Sequence, residues 1–567
     1  MNINIKAEKQ NTYDAIVVGS GISGGWAAKE LTEKGLKVLM LERGRNVEHV
    51  KDYDTALLKP WEFKHRGRIT PEERSRHLVQ TRAGQYSEHN AKFWVDDIDC
   101  PYTEVKRFDW YRGYHVGGRS ITWGRGCLRL SEMDFSANAK DGYGVDWPVR
   151  YKDISPWYDY VERFAGISGQ NEGLAQLPDG IFLPPFEMNC VEKEVKKRIE
   201  SHYNRERMMT VYRMANLTVP HNGRGTCMNR NLCNRGCPFG AYFSTQSATL
   251  PAAVATGNLT LRPYSIVNSV LYDKETKRAK GVLVIDSETN EHIEYYAKVI
   301  FMNASTLGTS HILLNSVSET FPDGLGNSSG HLGHNLMDHH FQVGASGTAE
   351  GFDDKYYYGR RPIGVYIPRY RNLGDKPERD YLRGFHYGGS ASRTGWQRAI
   401  PEMGYGQEFK EDMTEPGPWV MGLGSFGEHL PEYKNRVFLD HTKKDKWGQP
   451  LLAVDCEFGE NERKMRIDMR NDAAEILEAA GMKNIQSFDR PAVPGMAIHE
   501  MGTARMGHDP KTSVLNKWNQ MHDVKNVFVT DGAFMTSNAC QNPSLTYMAF
   551  TARACDYAVK ELKKGNL

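Results

Sequence analysis

The stretch YDAIVVGSGISGGWAAKELTEKGLKVLMLE, residues 13 to 42, constrains this chain more than any other part of it. An apolar run, Ala15 to Val18, leads into a glycine-rich turn, an alanine-rich helical segment and a second apolar run that ends on Glu42. Strand, turn, helix, strand and acid in that order make the dinucleotide-binding unit of a doubly wound α/β sheet. Gly19 makes the tight turn, Gly21 lets the backbone approach a pyrophosphate, and Gly24 lets the helix pack close to the strand, while the helix N-terminus offers partial positive charge. Glu42 stands where an acceptor for ribose hydroxyls is expected. A glycine turn in a sheet that binds nothing is the plainer alternative, and the unit alone does not separate NAD from FAD.

The rest of the chain must be organised around this unit. Single cores stop growing at about 250 to 300 residues, so 567 residues imply two lobes. Lys plus Arg number 72 against 70 Asp plus Glu, which leaves no strong field for nucleic acid or anionic lipid. No apolar run approaches the roughly 18 residues of a membrane span, and the polar start passes directly into a strand, so no signal peptide is expected. The nine cysteines are too few and too unevenly spaced for a disulfide framework.

Three of them fall together in CMNRNLCNRGCPFG, residues 227 to 240, with the spacing Cys227-x5-Cys233-x3-Cys237. Zinc sites usually take four ligands in close pairs, and no second pair lies nearby. A loop rich in Gly, Asn and Arg, with Arg230, Arg235 and Gly236, suits a compact anionic iron-sulfur cluster, and three ligands without an obvious fourth point to [3Fe-4S]. Structural thiols remain the bland alternative. Cys127, Cys456, Cys540 and Cys555 lie in strand-like or helix-like segments and are expected in the core, with Cys540 two residues from Asn542.

A second glycine-rich segment, GYHVGGRSITWGRG (113 to 126), offers Gly117, Gly118 and Gly124 for close approach to a flat ring. Near the end come HEMGTARMG (499 to 507) and NVFVTDGAFMTSNACQNPSLTYMAFTARACDYAV (526 to 559). Together with VGGRSITWG, VIFMNASTLGTSHILLNS (299 to 316) and HLGHNLMDH (331 to 339), these blocks resemble the glucose-methanol-choline (GMC) flavoprotein oxidoreductases in order and over nearly the whole chain. The resemblance implies FAD. It makes His499 the catalytic histidine, Asp531 and Gly532 the flavin-contacting pair, and Asn542 the second catalytic residue.

Those residue types suit alcohol oxidation. The hydroxyl proton must leave as hydride moves to flavin N5; a histidine can accept it near neutral pH, and an amide can orient the same oxygen without competing as a base. Some sugar-oxidising relatives bind flavin covalently through a histidine before the tryptophan of the second glycine segment; here that place is Thr122, which implies dissociable FAD.

The expected fold is therefore α/β and two-lobed. A Rossmann-like FAD-binding domain would comprise 10–335 and 490–567, with the cysteine loop at 222–240. A substrate domain on a mostly antiparallel sheet would comprise 336–489. Its Trp396, Trp419, Tyr356, Tyr357 and Tyr358 could stack on sugar faces, although aromatics at strand spacing more often form core.

The cysteine loop resembles one branch of the family, FAD sugar dehydrogenase large subunits. That likeness implies a [3Fe-4S] cluster on Cys227, Cys233 and Cys237, a small accessory subunit, a cytochrome c acceptor, and periplasmic residence by export with the partner. The expected activity is oxidation of a sugar or glycoside hydroxyl, with C3 the preferred position. A self-sufficient oxidase using dioxygen is the alternative. A redox-inactive scaffold subunit is a third, against which the retention of His499 and Asn542 argues.

Overall fold

The computed structural model describes residues 2–3, 11–357, 362–374, 376–395, 405–412 and 414–567. Its largest sheet has eight strands. Thr12–Val18 lies at its centre, flanked in parallel by Val38–Leu41 and His292–Met302; Leu259–Arg262 and Asn2–Ile3 extend one side. On the other side Arg278–Asp286 and Ser265–Asp273 add an antiparallel hairpin. The strand His292–Met302 changes partner along its length, pairing with the hairpin up to Tyr296 and with Val527–Val529 from Ile300 onward. The central strands read as unbroken apolar runs because helices cover both faces. Helix Ile22–Glu33 lies on one face beside the final helix, Ser544–Lys563, through Ala27, Ala28, Leu31, Ala554, Cys555 and Ala558.

The second lobe is a six-stranded antiparallel sheet in the order Lys483–Asp489, His340–Ala349, Trp419–Gly427, Phe385–Arg393, Val365–Ile367 and Thr210–Val211. Its last strand comes from before residue 336, as does the helix Cys190–His202, which packs against Phe385–Arg393, Trp419–Gly427 and the helix Glu460–Ala479. Trp419–Gly427 alternates strictly between buried and half-buried positions. Trp419, Met421 and Leu423 face a core shared with Met465, Met469 and Ile476 of helix Glu460–Ala479, while Gly422, Gly424 and Phe426 face the first lobe.

Candidate active site

The lobes enclose a cavity of about 750 Å³. Its inner end is the glycine turn. Gly19 adopts φ +96°, and a β carbon there or at Gly24 would collide with backbone, at Asn303 and Gly19 respectively. At Gly21 a β carbon would meet nothing within 4 Å: the backbone opens onto the cavity. Gly21 also caps helix Ile22–Glu33 without a side-chain bond, so the first-turn N–H groups stay available to an anion. Glu42 lines the cavity and accepts from the Ser20 hydroxyl at 2.5 Å and from the Gly44 N–H at 2.9 Å.

The second glycine segment lies on the first. Gly117 (φ +88°) donates its N–H to Ser20 Oγ at 2.9 Å, a β carbon on Gly118 would touch Gly21 Cα at 3.5 Å, and Gly118 and Thr122 line the cavity. Arg119 of this segment pairs with the buried Glu500 at 2.8 Å. Asp531 and Gly532 complete the wall. Asp531 accepts from Thr309 Oγ1 at 2.5 Å and from the Ala533 N–H at 3.0 Å, and burial lifts its carboxyl to about 7. Gly532 must be glycine: a β carbon would strike the Glu500 carbonyl and the Thr306 hydroxyl. This long groove with bare backbone at the turn and a free helix N-terminus fits FAD.

His499 and Asn542 meet in the same cavity, with Asn542 Nδ2 3.5 Å from His499 Nε2. Asp338 holds the loop that carries the histidine, accepting the backbone N–H groups of Gly495, Ala497 and His499 at 2.7, 3.2 and 3.0 Å. Burial, with His339, Arg119 and His386 nearby, holds His499 well below the usual histidine range, so it is a neutral base at physiological pH.

Two residues not foreseen from sequence join the pair. Tyr212 donates its hydroxyl to Asn542 Oδ1 at 2.5 Å, and the buried His339 places Nδ1 2.8 Å from His499 Nδ1. Tyr212 carries no local signal, whereas His339 ends the HLGHNLMDH block and could have been found there. Above them the sheet is nearly bare: Gly388 pairs with Gly424 and Ser390 with Gly422 across neighbouring strands, all lining the cavity. Of the aromatics weighed as sugar platforms against core, the described ones do not line the cavity, and Trp419 takes the core reading. Trp419 is buried and donates to the Phe352 carbonyl, Tyr356 and Tyr357 are exposed away from the cavity, and Tyr358 and Trp396 lie outside the described residues. Strand alternation turns Trp419 to the lobe's own core.

Cys227, Cys233 and Cys237 line a cleft of about 30 Å³ with Asn216, Arg230 and Tyr242. All three are half-buried. Burial raises the Cys227 and Cys237 thiols, and the neighbouring cysteines push the same way, so thiolate forms readily only when positive charge arrives. Among the described residues no three Cys, His, Asp or Glu side chains are disposed as a metal-ligand set. The loop nevertheless abuts the cavity wall: the Tyr242 hydroxyl donates to the Ile121 carbonyl at 2.6 Å and lies 3.3 Å from that of Cys233, and the Arg125 guanidinium sits over its ring at 4.9 Å. Cys127, Cys456, Cys540 and Cys555 are buried. No helix among the described residues is long and apolar enough to cross a membrane.

Comparison with known proteins agrees with this geometry. Family profiles described as GMC oxidoreductase match residues 13–341 and 431–551. The chain is 28% identical to 2-methyl-1,2-propanediol dehydrogenase of Mycolicibacterium austroafricanum, over 96% of this chain and 94% of that one. It is 26% identical to the fructose dehydrogenase large subunit of Gluconobacter japonicus, over 97% and 98%. In fold it is similar to pyridoxine 4-oxidase from Mesorbium loti, with a TM-score of 0.61, 17% identity and coverage of 96% and 98%.

Proposed function

The chain belongs to the GMC oxidoreductase family and is an FAD-dependent oxidoreductase acting on CH–OH donors, sugars or alcohols; from that premise we propose that it is the catalytic subunit of a sugar or glycoside dehydrogenase. The observation that carries this reading is the pairing of His499 Nε2 with Asn542 Nδ2 inside the dinucleotide cavity, under a floor of glycines. FAD, when bound, supplies the hydride acceptor. Gly19, Gly21 and Glu42 would hold its adenosine diphosphate half, with Gly118, Thr122, Asp531 and Gly532 along the rest; Gly24 and Gly117 support these turns from behind, Gly24 against the Gly19 carbonyl and Gly117 against Gln246. Asn542 orients the substrate hydroxyl and His499 takes its proton. The bare strands leave room for a ring bearing several hydroxyls, which supports a carbohydrate, with C3 oxidation to a 3-keto sugar the specific version.

The finer reading places a [3Fe-4S] cluster on Cys227, Cys233 and Cys237, with electrons passing to a cytochrome c beside a small accessory subunit. The shared cleft and its contact through Tyr242 with the cavity wall support it; the open disposition of the thiols stands against it. A self-sufficient oxidase is the competing reading. Thr122 in place of a histidine supports dissociable FAD, and flavin that stays with acid-precipitated polypeptide would overturn that. Periplasmic residence through a signal-bearing partner is also part of the proposal; loaded protein confined to the cytosol despite co-expression of the partner would refute it.

The test is anaerobic purification, iron and acid-labile sulfide per chain, and addition of a panel of sugars and alcohols. Flavin bleaching by a sugar, with about three irons and an EPR signal that fades with it, is expected. Bleaching without iron, followed by fast reoxidation in air, gives the oxidase. No bleaching by any compound would restore the scaffold.

A further inference from the structure

His339 precedes the strand His340–Ala349 and is 1% exposed. Its Nε2 lies 2.7 Å from the carbonyl oxygen of Ala539, a residue held at a left-handed φ of +53°. A carbonyl can only accept, so His339 Nε2 carries a proton. Burial lowers His339 to about 4, which keeps the ring neutral and leaves its Nδ1 bare. The 2.8 Å contact between the two Nδ1 atoms then needs its proton on His499. His499 is neutral as well, so its Nε2 is the lone-pair nitrogen.

A second chain of bonds reaches that nitrogen from the other side. Asn542 Oδ1 accepts the Tyr212 hydroxyl, which turns the amide so that Nδ2, the donor end, faces His499 Nε2. Both chains agree on which nitrogen is unprotonated.

We propose that His339, anchored on the Ala539 carbonyl, is a positioning residue that locks His499 in the tautomer whose Nε2 accepts the substrate proton. The inference rests on His499 being the base. In the step it serves, the substrate O–H bond breaks and the proton passes to His499 Nε2. The electron pair left on oxygen becomes the second C–O bond as hydride leaves for the cofactor, and Nδ1–H of the imidazolium remains bonded to His339. A neutral acceptor fixes the tautomer without trapping the proton, which a carboxylate in its place would do by stabilising the imidazolium.

The experiment uses FAD-loaded enzyme labelled with 15N-histidine, the His499 signals being identified by their loss in His499→Gln. Wild type should show a protonated Nδ1 and a pyridine-type Nε2, and His339→Phe a mixture. In anaerobic stopped-flow, His339→Phe should reduce its flavin about 100-fold more slowly at saturating substrate, with KM changed less than about threefold. His339→Gln keeps a donor for Ala539 and an acceptor for His499, and should recover to within about tenfold of wild type.

A wild-type His499 protonated on Nε2 overturns the lock even if neither variant folds. So does a wild-type reduction rate in FAD-loaded His339→Phe. If His499→Ala still reduces its flavin, it is the assignment of the base that fails; if His499→Ala is silent and His339→Phe is not slowed, only the lock fails.

Discussion

The histidine pocket and the cysteine cleft lie on two sides of the same flavin-loop segment, and they are built in opposite ways. Around His499 the ring and its loop are held by named partners: Asp338 below the loop, His339 behind the ring, and Asn542, oriented by Tyr212, in front. Around Cys233 the walls are half-buried, the thiols are apart from any ligand arrangement, and two left-handed asparagines, Asn229 and Asn231, fold the loop. A proton acceptor has to be aimed before substrate arrives, so its geometry is fixed by the protein. A set of half-buried thiols in which Cys227 and Cys237 resist ionisation gains its order from what binds there.

His499→Ala breaks the comparison most severely: FAD should stay bound while flavin reduction by substrate falls at least about a thousandfold, measured by anaerobic stopped-flow. Changing Cys227, Cys233 and Cys237 together to Ser should do the reverse. Anaerobic reduction should keep its rate while turnover with cytochrome c drops to background; equal loss of both would make the cleft part of the pocket. Gly424→Val tests the bare floor, where a β carbon has room, the nearest atom being the Gly388 carbonyl at 3.9 Å. The extra methyls would occupy substrate space, so KM should rise about tenfold or more with little change in the limiting reduction rate.

The smallest effect is on stability. His115, His339 and His386 are buried neutral, lowered to about 4, 4 and 3 by burial. Unfolded histidines protonate near 6.5, so stability is full above that pH and is lost as pH falls toward these values, by about 1.4 kcal/mol per unit for each. Denaturant melts at pH 7.5 and 5.5 should differ accordingly, and equal melts would mean the pocket is wetter than its packing implies.

How much of this was legible in sequence follows from chain distance. The glycine turn, its helix and its flanking strands are local, and Gly19, Gly21 and Gly24 read their own conformations. Thr122, Asp531 and Gly532 were found through motif blocks. Tyr212 and Asn542 are 330 residues apart, and His339 and His499 160, so nothing in the neighbourhood of either announces the other. Trp419 joins the core, as aromatics at strand spacing more often do; composition alone does not say which face of a strand looks inward. The cysteine spacing was visible; its three-dimensional disposition was not.

The partner change along His292–Met302 has a consequence in time. Past Tyr296 the outer edge of that strand is paired by Val527–Val529, and helix Ile22–Glu33, which also touches Leu250–Ala255, makes its most extensive helix contact with Ser544–Lys563. A nascent chain therefore leaves the ribosome with its first nucleotide-binding half unfinished until residues 527–563 have been made. Cofactor loading must follow synthesis, and any truncation near the C-terminus should yield an empty protein that chaperones retain rather than a weakened enzyme.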